Sequence, residues 1–349
     1  MSDYWNLPLN SQVDILINCL KKFGVLVGVL IGASILLFTA IHMLEGDPIS
    51  LRLKNPDPET VALERERLGL NDPLPAQYVD YVSGFVVVDW GRSLITQRPV
   101  VEDVFSRLTA TLELTLSAMF LGVLYGIPIA LFASSSSAWI YRKISHGLGV
   151  IGVVIPIFWL GFILIVVGSL WLNVFPTEGR FDYTYDKPNV TGFLILDVLL
   201  TGRWELMGMV LRHLFLPAFC LSFYPAAVVI NVIHPRLQDP LTRNLIVSLK
   251  ARGFGPIRLW VKHLLKLAGA PLVTALGTNF GALLGGAVLT ETVFSWPGMG
   301  SFLVGAILEK DLFVIENGFL FIILLVFAVV SVADVLANAM DPTLKRDHS

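Results

Sequence analysis

The chain has 349 residues, 55% of them hydrophobic and only 15% charged, with a mean hydropathy of +0.72. Charge that sparse excludes an ordinary soluble globular enzyme and indicates an integral membrane protein. The net charge of −2 gives no whole-molecule attraction to a polyanion, and two cysteines, Cys19 and Cys220, are poor candidates for a disulfide framework or a metal cluster.

Taken in chain order, a segment 1–22 precedes the first hydrophobic run and carries an amphipathic turn through Val13, Leu16, Ile17 and Leu20. The run 23–43 follows Lys21 and Lys22. It is longer than the apolar stretch of a secretory signal and no small-residue cleavage pattern follows, so it reads as a retained anchor. The connection 44–108 carries more acids than bases. Its Val61-Ala62-Leu63-Glu64-Arg65-Glu66-Arg67-Leu68 is a helical pattern stopped by Gly69, and Tyr78, Tyr81, Val82 and Phe85 recur at helical spacing after a turn at Asn71–Pro75. This pattern suggests a small folded cap.

Five further runs meet the length of a membrane span, 109–134, 144–172, 211–233, 272–289 and 315–339, giving about six helices and an all-α polytopic fold. The basic residues of the short connections, Lys21, Lys22, Arg142, Lys143, the group between the fourth and fifth runs, Lys345 and Arg346, then share one face. By the positive-inside rule that face is cytoplasmic, as are both termini and the tail 341–349, while 44–108 is external. The connection 173–210 is also external, and its Asp182, Tyr183, Tyr185, Asp186 and Trp204 either meet a ligand or anchor at the headgroups, the anchor being the commoner role. The five runs with their connections form a core, 109–340.

The loop 235–270 is the most informative stretch. It holds Arg236, Arg243, Lys250, Arg252, Arg258, Lys262 and Lys266 between two spans. Ser248-Leu249-Lys250-Ala251-Arg252-Gly253-Phe254-Gly255-Pro256 reads as helix, stop and restart, with Gly253 in the left-handed terminal position and Pro256 in a first turn. Beyond it, Ile257, Trp260, Val261, Leu264, Leu265 and Ala268 share one helical face, and Arg258, Lys262 and Lys266 another. Such a segment lies under a membrane and touches something.

Chemistry of other kinds has no starting point. There is no phosphate-binding loop ending in Gly-Lys-Ser/Thr, no His-Glu-x-x-His, no Cys-x-x-Cys and no Gly-x-Ser-x-Gly, so no catalytic residue and no metal ligand is assigned. Six scattered histidines take structural roles. Of ionisable residues in the apolar runs, Glu113 and Asp334 stand out, each near enough to a span end to pair at the interface, Glu113 with Arg107 nearby. Pro128, Pro156, Pro217 and Pro225 remove helix hydrogen bonds, Gly281 and Gly285 form a small-xxx-small pattern beside Gly286, and the two halves show no evident internal repeat.

The loop and a series of ordered landmarks resemble the membrane subunits of bacterial ABC importers of the peptide and nickel permease group. The signature corresponds to Ser248 through Gly253, followed by Lys262-His263 and by Pro271 opening the next span, with Leu249 where the group has a small alanine. The landmarks are Gly46-Asp47-Pro48, Leu68-Gly69-Leu70-Asn71-Asp72-Pro73-Leu74, Trp90-Gly91-Arg92-Ser93-Leu94, Arg98-Pro99-Val100 and Arg107-Leu108-Thr109-Ala110-Thr111-Leu112-Glu113-Leu114. Pro156-Ile157-Phe158-Trp159-Leu160-Gly161, Leu216-Pro217-Ala218 and Glu291-Thr292-Val293-Phe294-Ser295-Trp296-Pro297-Gly298-Met299-Gly300 continue the series.

The resemblance implies a type I importer permease bundle in the bacterial inner membrane with an external loop domain. A coupling helix at Ser248, Leu249, Lys250, Ala251, Arg252, Gly253, Phe254, Gly255, Pro256 and Arg258 would dock on a separate ATPase. It further implies a second homologous permease subunit, two ATP-binding subunits that carry the ATP and magnesium, and an external solute-binding protein. No cofactor falls to this chain, its substrate residues are unassigned, and peptide is the first choice of cargo. Two other readings compete. A basic helix-turn-helix for nucleic acid is disfavoured because spans on both sides pin the loop at the headgroups, where anionic lipid already meets its charge. An ion-coupled secondary transporter or channel predicts deep paired ionisable residues or a broken helix at the midplane, which the sequence scarcely offers.

Overall fold

The computed structural model describes residues 9–43, 49, 57–135, 143, 147, 149, 152, 154–259, 263 and 265–340, and among them it is helical with no strand beyond one isolated bridge. The landmark Gly46-Asp47-Pro48, Arg142, residues 260–262 with Leu264, and the tail with Lys345 and Arg346 lie outside the described residues, as do the side chains of Val13, Leu16, Ile17, Lys250, Pro256, Ile257, Leu265 and Lys266. The chain divides into two compact units, residues 1–103 with 305–327, and residues 104–304 with 328–349.

In the first unit, α1 (Leu9–His42) is 34 residues long and passes through Lys21 and Lys22 without a stop, so the anchor helix starts well ahead of its apolar run. Nothing in 9–22 breaks a helix: the stretch has neither proline nor glycine. The helical patterns read in the connection 44–108 form α2 (Pro58–Arg67) and α3 (Leu74–Val87). Helix α2 ends in a Schellman motif, with Gly69 at φ 67°, its N–H bonded to Glu66 O and the Leu70 N–H to Arg65 O. The aromatic positions read from the sequence make the contact between α3 and α1: Tyr78 meets Phe38 edge-on at 5.5 Å and shares a 2.8 Å hydrogen bond with Ser34. Trp90 stacks on Phe85 and packs on Phe321, and the following loop closes through the Arg92–Pro99 bridge. Ser93 Oγ then donates to Asp311 Oδ2 at 2.5 Å, fixing the loop to the start of the last helix, α13 (Leu312–Met340).

In the second unit, α4 (Val100–Ser135, from Val104 on), α5 (Ile157–Leu164), α6 (Leu194–Leu200), α7 (Met207–Gln238), α8 (Pro240–Ala251) and α9 (Pro256–Leu259) follow in order. After them come α10 (Leu265–Thr278), α11 (Phe280–Val293) and α12 (Met299–Glu309, to Val304). Helix α7 forms the centre: two-thirds of its most apolar window is buried against the others. It is crossed closely by α4, where a Cβ at Gly122 would lie 2.7 Å from Pro225 and 2.8 Å from Ser222 O, and one at Gly126 3.2 Å from Ala226. Close approach of this kind is how helices associate where lipid removes the hydrophobic drive.

Four described helices are long and apolar enough to cross a membrane, within α1, α4, α7 and α13, and the bent pair α10–α11 makes a fifth. The expected third span contains a break in its described part. Ile155 and Pro156 interrupt the helix, Pro156 stands at the N-terminal cap position of α5, and α5 continues as a π-helix over Ile165–Trp171. Proline cannot donate to the preceding turn, which suits a helix start. Pro271, expected to open the fifth span, stands inside α10 instead. Within this chain no atom lies within 4 Å of a Cβ at Gly285, whereas one at Gly286 would meet Ile157 at 3.0 Å.

Candidate functional site: the basic loop and the buried charges

Helix α8 ends at Ala251 as the sequence requires. Gly253 takes φ 80°, and the Phe254 N–H returns to Leu249 O at 3.2 Å, closing a second Schellman motif before α9 begins at Pro256. Two faces result. Leu249, Leu259, Ile246 and Phe254 pack with Ala130 and Leu131 of α4, Ile230, Ile233 and Leu237 of α7, and Ala268 and Leu272 of α10. The leucine that replaces a small residue at 249 is therefore a root of the loop in its own bundle. On the other face Leu245, Val247, Ser248, Ala251, Arg252, Gly253, Gly255 and Arg258 are exposed, Val247 at 66%. Arg258 lies over the Phe254 ring at 5.3 Å, and His263 meets the same ring edge-on. A turn seated on three helices, with apolar and cationic groups exposed on its other face, suits contact with another surface.

Within the second unit, Glu113 is buried and its partner is Arg180, not Arg107: Arg180 Nε and Nη2 reach Oε2 at 3.0 and 2.5 Å, and the Ile195 N–H donates to Oε1 at 2.9 Å. Arg180 Nη2 also donates to Gly192 O, and its guanidinium lies over the Trp296 ring at 5.7 Å. Arg107 lies over Phe302. The connection expected at the headgroups thus folds inward at Arg180 to satisfy a carboxylate that would otherwise be costly in this setting.

Glu291 is the residue that sequence reading missed. It lies two positions beyond the run 272–289 of the fifth span, where run length alone marks no buried acid. Its Oε1 accepts from Thr111 Oγ1 at 2.5 Å and its Oε2 from the Ser301 N–H at 2.8 Å, within the first turn of α12. The same Thr111 oxygen accepts the Met299 N–H at 2.7 Å. A carboxylate at a helix start satisfies open N–H groups and the positive end of the helix dipole. Gly298 and Gly300 leave the room, since a Cβ at Gly298 would lie 2.1 Å from Glu291. The landmark from Glu291 to Gly300 is thereby accounted for: acid, tryptophan and glycines form one cap.

Outside the spans, Asp197 is buried in α6, which by itself raises a carboxyl. Hydrogen bonds from the segment 190–192 outweigh that and hold it below the usual range, among them the Thr191 hydroxyl and N–H at 2.7 and 2.6 Å and the Gly192 N–H at 3.1 Å. The bend of 49° between α10 and α11 falls at Asn279, whose Nδ2 donates to Ala275 O and whose Oδ1 accepts from Tyr224 of α7 at 2.5 Å. Buried acids with protein partners and one bent helix pair are thus present in the second unit. These charges are sealed by protein donors, and among the described residues no group of His, Cys, Asp and Glu is placed to hold a metal ion.

The family model described as binding-protein-dependent transport system inner membrane component matches residues 126–346, and the corresponding N-terminal model matches residues 16–115. The di/tripeptide transport system permease protein DppB of Pseudomonas aeruginosa (strain UCBPP-PA14) is 35% identical over 94% of this chain and 98% of its own length. The glutathione transport system permease protein GsiC of Escherichia coli (strain K12) is 32% identical over 93% of this chain and 98% of its own. Among solved structures, the inward-facing MetNI methionine ABC transporter matches with a TM-score of 0.49 and 19% identity over 69% of this chain and 95% of that chain. The matches decide between the two transport readings in favour of the ATP-driven one, with hydrolysis on separate subunits and a substrate-binding partner. The chain belongs to the inner-membrane components of binding-protein-dependent transport systems: it is a multi-pass permease subunit of an ABC importer.

Proposed function

We propose that this permease subunit forms half of a pathway for short peptides and is driven through the hinge Ser248–Arg258. The single observation carrying the coupling role is the two-faced hinge: Leu249 and Leu259 root it in the bundle while Ser248, Ala251, Arg252 and Arg258 remain exposed. A second homologous permease completes the pathway, two ATP-binding subunits carrying ATP and magnesium sit below, and an external solute-binding protein delivers cargo. Closure of the ATPases moves the hinge, and the rooted face passes that motion to α4, α7 and α10, shifting the bundle between two packed arrangements. The basic residues of the short connections support a cytoplasmic hinge and cytoplasmic termini. Peptide as cargo is supported by the relatives, whose names specify di- and tripeptides and glutathione, itself a peptide.

Reconstitution tests this directly. Proteoliposomes holding the permease pair, the ATPases and the binding protein take up a dipeptide with ATP, and the same vesicles without ATP do not. Uptake driven by an ion gradient in the absence of ATP, or uptake of nickel with no peptide competition, would refute the reading.

A further inference from the structure

Where residues 173–176 turn back over the start of α7, a cavity of about 410 Å³ opens. Asn173, Phe175, Pro176, Met209, Arg212 and His213 are on its wall. His213 Nδ1 is engaged with Gly179 O at 3.0 Å, and the charge of Asp182 lies near His213. Arg212 has no carboxylate partner among the described residues. Around this cation the surface is apolar: Leu170, Trp171, Leu172, Leu211 and Phe215 are all exposed, Trp171 at 77%. From the cavity an aromatic ladder descends α7. Phe175 stacks on Phe215 at 5.1 Å, Phe215 on Phe219 at 5.7 Å, and Phe219 meets Phe223 edge-on at 5.3 Å. The positions 215, 219 and 223 share one face over about 12 Å of helix rise.

Arg212 lies near the first residues of a membrane-crossing helix whose other end carries the basic hinge. We propose that this cavity is a phospholipid site in the leaflet opposite the hinge: Arg212 and Asn173 hold the headgroup phosphate, and an acyl chain lies along Phe215 and Phe219. Exposed apolar side chains around a guanidinium with no carboxylate partner among the described residues have two solvents to satisfy, and a phospholipid supplies both. Its phosphate accepts charge-assisted hydrogen bonds from Arg212, and its chain covers the collar that water would leave bare. An interfacial tryptophan beside the site fits the headgroup level. A free phosphate would satisfy the cation alone.

Native mass spectrometry of the complete importer, purified from membranes in mild detergent, tests the site. Wild type and Arg212→Lys should retain one tightly held phospholipid on this subunit. Arg212→Glu should reduce its occupancy about tenfold, and Phe215→Ser should reduce it as well, with subunit assembly unchanged in both. Unaltered retention in Arg212→Glu overturns the proposal. Displacement of the lipid by inorganic phosphate alone, or protection of Arg212→Cys from labelling by the solute-binding protein in lipid-free preparations, assigns the cavity to another ligand and overturns it too.

Discussion

Arg180 and Glu113 show what a single pair determines in this molecule. Both side chains are 4% exposed, so removing one partner leaves the other charged and without a counter-ion in a low-dielectric setting. Arg180→Met alone should destabilise the chain by about 3–5 kcal/mol, whereas adding Glu113→Leu should recover most of that loss. Thermal unfolding of the single and double variants in detergent measures the coupling. The acid Asp197 gives a pH-dependent counterpart. Its folded-state pKa is depressed, so its contribution is fully present above the ordinary carboxylate value of about 3.9 and is lost as pH falls through the lower, folded value. The melting-temperature advantage of wild type over Asp197→Asn should therefore be constant at neutral pH and shrink below about pH 4. Glu113 itself was legible in the sequence as an acid in an apolar run. Its partner was not, because nothing local in 173–210 signals that Arg180 turns inward, and Glu291 escaped because it stands just past an apolar run and reaches the next helix start across a turn that has no sequence period.

At the scale of elements, the hinge was the most readable part. Glycine and proline act within a few residues of one another, and Gly253 and Pro256 take the places that local chemistry assigns, whereas the burial of Leu249 and Leu259 against the bundle has no local signal. Breaks inside apolar runs were less readable. A hydropathy window gives the same value for a straight span as for one stopped at Pro156 or bent at Asn279, since what distinguishes them is whether a neighbour satisfies the freed backbone groups. The same holds for glycines: pattern marked Gly281 and Gly285, but contact geometry selects Gly122 and Gly126, where α4 meets α7. Gly122→Leu should abolish stable folding, because backbone atoms of α7 occupy the space, while Gly285→Ala should leave the unfolding free energy within about 0.5 kcal/mol of wild type. Tyr224→Phe, which removes the hydroxyl from Asn279, should cost about 1 kcal/mol and loosen the α10–α11 bend, read as faster hydrogen exchange at Asn279.

Seen as a whole molecule, the chain carries its chemistry in how it moves and no reacting group of its own. Composition was enough to place it in a membrane, and the basic connections gave a sidedness, but the number of spans rested on run length, which counts apolar residues without seeing where helices stop. A permease of this family works only in an assembly, so the decisive property is whether the exposed face of the hinge meets the motor. With a cysteine at Ala251 and paired cysteines along the cleft of the ATPase subunit, disulfide crosslinking in membranes measures this most directly. The account predicts a crosslink between Ala251→Cys and the ATPase whose yield changes between the ATP-bound and nucleotide-free complexes. A cysteine at 251 that reacts with an impermeant reagent from the external side, or that forms no crosslink to the ATPase in either state of an assembled importer, would contradict it.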